Sequence, residues 1–202
     1  MKYILRAMIT VSVIFSASIL QAGAVIVDSI SGDWNQDGIP DRAFLLGTPG
    51  DVRLDLGIWL GNAAGEDTDL AFLIENFATR SSPDSTAPYP PGNGNSSFFL
   101  MVDGIRFAII DFNSAKGWMA HRTLALNAEG QPVVVEYARE VFMTEAARAV
   151  RVCTANLEAG QGTVLNRETG VVEAGFPVER GSILASDWHL ASIDFPDSCG
   201  AP

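Results

Sequence analysis

Val52-Arg53-Leu54-Asp55-Leu56-Gly57-Ile58-Trp59-Leu60 sets apolar residues at every second position. Successive side chains of a strand point to opposite faces. Val52, Leu54, Leu56, Ile58 and Leu60 therefore form one buried face, with Arg53, Asp55, Gly57 and Trp59 on the other. Thr48-Pro49-Gly50-Asp51 just before it is a turn sequence, and Arg42-Ala43-Phe44-Leu45-Leu46 is a second apolar run. Residues 42–60 thus read as a β-hairpin.

The same period of two recurs along the chain. Ser97–Val102 and Ile105–Phe112 are apolar runs separated by Asp103-Gly104, a link that predicts a type I′ hairpin turn with positive φ at both residues. Trp118–Leu126 and Pro132–Phe142 flank Asn127-Ala-Glu-Gly-Gln131 as a third hairpin. Val150–Leu157 alternates again, and Asn166-Arg-Glu-Thr-Gly170 is a turn between Thr163–Leu165 and Val171-Val172. Helix is scarce. Asp69–Arg80 fits a short amphipathic helix with Leu70, Leu73 and Phe77 on one face, or a strand, and Thr144–Val150 fits a single helical turn. The expectation is an all-β domain of antiparallel hairpins, blade-like, partial-propeller or sandwich, with its closure open.

Just upstream of the first hairpin stands Asp33-Trp34-Asn35-Gln36-Asp37-Gly38-Ile39-Pro40-Asp41. Side-chain oxygens fall at positions 1, 3, 5 and 9 of this nonapeptide, and a glycine at 6 permits a sharp turn. Hard cations such as Ca²⁺ take six to eight oxygen ligands, and a tight loop can aim alternate residues at one centre. Asp33, Asn35, Asp37 and Asp41 would supply side-chain oxygens and Ile39 its carbonyl. An EF-hand loop would place Glu at position 12, where this chain has Phe44, so Asp41 would have to bind directly. The alternative is an Asn/Asp/Gly turn that binds nothing. Trp34, between two residues facing the ion, should point away and pack on the sheet. Trp59, Trp118 and Trp188 read as core as well.

The pattern D-x-N-x-D-G-x-x-D followed by Arg42–Leu46 resembles the calcium loops of FG-GAP and VCBS-type repeats, over about residues 30–61. The resemblance implies one bound Ca²⁺ and a loop that joins two strands. The chain carries one such signature and no clear internal repeat, so a closed propeller of many blades does not fit in it. Gly117-Trp118, Tyr137-Ala138-Arg139, Cys153-Thr-Ala-Asn156 and Gly160-Gln-Gly162 loosely resemble small secreted proteins of Gram-negative bacteria. Some related calcium-bearing β-domains act as periplasmic inhibitors or immunity proteins against cell-wall hydrolases. That likeness implies a binding role and assigns no residue.

Residues 1–24 have the form of a secretory signal: Lys2 and Arg6, an apolar run from Ala7 to Leu20, and Ala22-Gly23-Ala24 as a small-x-small cleavage site. An uncleaved anchor is the alternative. The mature chain would be a single domain over 25–202, in the periplasm or outside the cell. It would keep 11 basic residues, Lys116 the one lysine among them, against 24 acidic ones. An acidic surface of this kind repels nucleic acid and anionic membranes and suits a cation or a basic protein partner. In an oxidising compartment Cys153 and Cys199 are expected to pair and tie the C-terminus back to a strand.

Ser81–Ser96 is rich in Pro, Ser and Asn and reads as a mobile surface insertion, or as a functional loop in which Tyr89 between prolines is a candidate anchor for a partner. Motifs for catalysis are missing: no G-x-S-x-G, H-E-x-x-H or Walker A sequence is present. His121 and His189 are candidate general bases that read better as structural histidines. The leading expectation is a secreted, calcium-stabilised, non-catalytic binding module, an inhibitor or immunity-type protein among the options. A structural cell-surface protein is the alternative, and a metal-using hydrolase is third.

Overall fold

The computed structural model describes residues 23–62, 70–80, 82, 97–113, 118–143, 148–188 and 193–199. The chain is all-β, with twelve described strands in two antiparallel sheets. The first sheet is a four-stranded meander, β1 (Val25–Gly32), β2 (Asp41–Gly47), β3 (Arg53–Trp59) and β4 (Leu70–Thr79), in that spatial order. The second is a longer meander: β5 (Phe99–Asp103), β6 (Arg106–Asn113), β7 (Trp118–Leu126), β8 (Pro132–Met143), β9 (Arg148–Asn156), β10 (Gln161–Asn166) and β11 (Val172–Pro177). A two-residue strand, β12 (Ile183–Leu184), pairs with Val133 and Val134 of β8, just past the point where β9 ends opposite Glu136.

The alternation in 52–60 has the predicted result at its centre, while Val52 is exposed and Leu60 half-buried. Leu54, Leu56 and Ile58 are fully buried, and so are Ala43 and Leu45 from β2. They meet Phe107, Ile109, Ala120, Leu124, Val134 and Tyr137 from the second sheet in one core. Burying one such Leu, Ile or Phe side chain contributes about 1.5–3 kcal/mol. Thr48-Pro49-Gly50-Asp51 closes the β2–β3 hairpin as read. Gly50 has φ 84° and the Asp51 N–H donates to the Thr48 carbonyl at 3.1 Å, as expected of a type II turn. The buried Arg80 guanidinium donates to the carbonyls of Thr48 and Asp51 and fixes that turn.

The long sheet outreaches the short one, and the C-terminal segment covers part of what remains. Trp188 packs on Tyr137 with ring centroids 5.1 Å apart, and Phe195 contacts Tyr137 and Phe176 at 5.4 and 5.6 Å. Cys199 is disulfide-bonded to Cys153 on β9, both fully buried beside Val164. The pairing closes a separation of 46 positions. In the chain-entropy view a loop of this size contributes about 4 kcal/mol.

Two expectations need correction, and one open reading is decided. Of the helix and strand alternatives for Asp69–Arg80 the strand is found: Leu70–Thr79 is β4. Ile74, Phe77 and Ala78 are its buried residues, a helix-like spacing: Ala78 and Ile74 pair with Leu54 and Leu56 on one face, and Phe77, in the bulge opposite Asp55, is buried as well. Asn76 sits in the bulge at φ 53°, its N–H held by the Asp55 carboxylate at 2.7 Å. The Asp103-Gly104 link is not a type I′ turn. Asp103 belongs to β5 and pairs with Arg106, and no residue from 103 to 106 has positive φ. The Asp103 carboxylate shapes the turn by accepting the Ile105 N–H at 3.0 Å and Arg106 Nε at 2.7 Å. Residues 148–150 are strand, in β9. Most of the 1–24 segment, the stretch 144–147, His189 and Tyr89 with most of its loop lie outside the described residues. No described helix is long and apolar enough to cross a membrane.

Candidate metal centre

The nonapeptide links β1 to β2 at one end of the short sheet. Its side chains organise the loop through backbone amides. Asp33 accepts the N–H of Asp37 on Oδ1 and that of Gly38 on Oδ2, both at 3.0 Å. Asn35 Oδ1 also accepts the Asp37 N–H, at 3.1 Å, and its Nδ2 donates to Asp37 Oδ2 at 2.8 Å. Asp37 Oδ1 accepts the Ile39 N–H at 2.8 Å. Gln36 at φ 60° and Gly38 at φ 83° make the tight curl that these bonds require. Asp33, Asn35 and Asp37 are thereby gathered on one side of the loop.

Asp41 is placed differently. It is fully buried, and its carboxylate faces backbone donors: Trp34 N at 2.8 Å and Asn35 N at 3.3 Å on Oδ2, Gly61 N at 2.9 Å on Oδ1. Asp41 therefore closes the loop at its base and ties it to the chain just past β3. Each carboxylate oxygen has two lone pairs, so acceptor capacity remains beyond these bonds. Gly61 is a site residue that the sequence reading missed. A Cβ there would lie 2.5 Å from the Pro40 carbonyl oxygen, so only glycine lets this backbone approach the loop. The signal in the sequence was faint: a glycine twenty positions from its partner.

Trp34 points inward as expected. It is 3% exposed and packs on Phe107 of β6 with centroids 4.5 Å apart. The ring lies over Gly32, where a Cβ would come within 2.4 Å of the indole nitrogen. The loop is thus anchored at two depths, by a carboxylate at its base and by an indole in the intersheet core.

Among the described residues no three acidic, His or Cys side chains form a group that could hold an ion. The third side chain of the outer cluster is the Asn35 amide. All the donors available there are oxygens: two carboxylates, an amide and backbone carbonyls. That set fits a hard cation and has no preference for zinc or copper.

His121, the described candidate base, lies on β7 opposite Ala138, its Nε2 3.6 Å from Glu140 Oε1. Arg167 in turn donates to the same Glu140 oxygen at 2.9 Å. Burial lowers the His121 pKa, Arg167 adds to that, and Glu140 opposes it. The unfolded chain then takes up a proton that the folded one resists. The stability that His121 contributes is therefore present above its ordinary value of 6.5 and is lost as pH drops from there toward the lowered folded value. His121→Gln is expected to flatten this part of the stability–pH curve, as measured by urea titrations between about pH 7.5 and 5.

Comparison with family models, with curated proteins and with solved structures finds no match.

Proposed function

We propose that this chain is a secreted or periplasmic β-domain, stabilised by one calcium ion, that binds a protein partner and has no catalysis of its own. The observation that carries the calcium reading is the gathering of Asp33, Asn35 and Asp37 on a loop anchored by Asp41 and Trp34. These three would contribute side-chain oxygens and Ile39 its carbonyl, with Asp41 as the further ligand expected from the sequence. Bound there, the cation supplies positive charge that offsets the repulsion among carboxylates and fixes the β1–β2 connection. The four-stranded meander beside the loop supports the likeness to FG-GAP and VCBS-type blades, since a propeller blade is a sheet of that size. It stands alone here, against a longer sheet of different make.

The compartment rests on the buried disulfide and on the signal-like 1–24 segment, after which β1 begins at Val25. The binding role rests on the acidic surface, with a net charge of −11 for the whole chain. A basic protein is the partner class this charge favours, and a basic cell-wall hydrolase is one that the secreted-protein likeness suggests. Calorimetric titration with Ca²⁺ tests the metal reading. It should show one saturable site in the wild type and none in Asp37→Ala. Absence of saturable binding to the wild type would remove the calcium from the account.

A further inference from the structure

A groove of about 620 Å³ runs beside the C-terminal segment. Its apolar floor includes Leu157 and Ile193, both buried, and the half-buried Val178 and Ile183. Its rim carries the exposed carboxylates Glu179 and Asp194. Volumes of this order are those of clefts that hold ligands.

The wall is built and held. Residues 178–182 lie along the turn that joins β9 to β10 and are fastened to it at three points. The Val178 N–H donates to the Gly160 carbonyl at 3.3 Å and the Gly181 N–H to the Leu157 carbonyl at 2.9 Å. Arg180 Nε donates to the Glu158 carbonyl at 2.9 Å. Glycine is required at both bends: Gly160 has φ 70° and Gly181 φ 142°. A Cβ on Gly160 would also press on the Cβ of Arg180 at 3.0 Å. Among the described lining residues Arg180 is the one cation, and it is drawn to the turn, while Glu179 and Asp194 stay exposed. A wall held this way loses little further freedom when something binds against it.

We infer that this groove is the partner-binding surface, and that its occupant is an extended, basic protein segment with an apolar side chain between Lys or Arg residues. This rests on the binding-module reading above. The apolar side chain would sit on Leu157, Ile183 and Ile193, and the flanking cations would pair with Glu179 and Asp194. The chain's net charge of −11 would draw such a segment in from a distance and make the encounter sensitive to salt.

The test uses fluorescence anisotropy with the labelled peptide Gly-Lys-Leu-Lys-Leu-Lys-Gly. Its counterpart with Glu in place of Lys serves as the control peptide. The wild type should bind the basic peptide saturably, more weakly at high salt, and should not bind the acidic one. Glu179→Lys with Asp194→Lys should weaken binding at least about tenfold, and so should Ser182→Trp, which fills the groove from its wall. Glu75→Lys with Glu129→Lys changes the net charge equally at exposed sites elsewhere and should cost no more than about twofold. In case Ser182→Trp does not fold, NMR of the wild type with peptide should move the methyl signals of Leu157, Ile183 and Ile193. No saturable binding, an equal loss in the control pair, or methyl shifts elsewhere would each overturn the assignment. Those outcomes leave the calcium titration untouched, so failure of the groove and failure of the calcium reading are separate results.

Discussion

Arg122→Met is expected to lower the unfolding free energy by about 3–5 kcal/mol, the range for breaking a buried ion pair from one side. Arg122 on β7 and Asp111 on β6 pair while almost fully enclosed, with side-chain exposures of 3% and 5%. Together they join the sheets. Arg122 also donates to the Phe77 carbonyl on β4, and its guanidinium lies 4.5 Å over the Phe77 ring. Asp111 accepts the Thr79 N–H, again on β4, at 2.8 Å. Methionine preserves the aliphatic stem but leaves the Asp111 charge in the interior with that amide as its remaining partner. Adding Asp111→Asn should recover part of the loss, since the stranded charge is then gone. Urea denaturation followed by tryptophan fluorescence measures both effects. A cost below about 1 kcal/mol for Arg122→Met would mean that the pair does not hold the sheets together.

Trp34→Ala should have an effect of similar size, about 3–5 kcal/mol, as for other buried aromatic truncations. It should also have a second consequence that other core truncations lack. The indole anchors the candidate metal loop to Phe107, so its removal should weaken calcium binding as well as the fold. Trp34→Phe retains a ring over Gly32 and should lose much less of both. Parallel denaturation and calcium titration of the two variants read this directly. Equal calcium affinity in Trp34→Ala and wild type would detach the loop from the core.

Much of the strand content was legible because burial on one face leaves a period of two, as in Val52–Leu60. It became illegible where the ladder is irregular. The bulge at Asn76 gave β4 the spacing of a helix. In β1 the alternation is interrupted near Asp28, where the register shifts and the carboxylate instead accepts the Phe98 N–H at 2.6 Å across the sheets. The loop's composition announced its oxygens, and Trp34 behaved as its position required. The inward role of Asp41 was hidden, because a carboxylate that accepts amide protons and one that binds an ion have the same letter in the sequence. Gly61, the Asp111–Arg122 pair and the groove beside Ile193 each depend on contacts between distant parts of the chain. No local pattern encodes those contacts.

The central claim is that calcium stabilises this domain through the 33–41 loop. A thermal melt in calcium and again in EDTA, on wild type and Asp37→Ala, tests it most directly. At about a hundredfold excess over Kd, linkage adds about 2.7 kcal/mol, which for a domain of this size raises Tm by about 5–10 °C. The wild type should show that shift and Asp37→Ala should show none. A wild-type Tm that is the same in calcium and in EDTA would contradict the account.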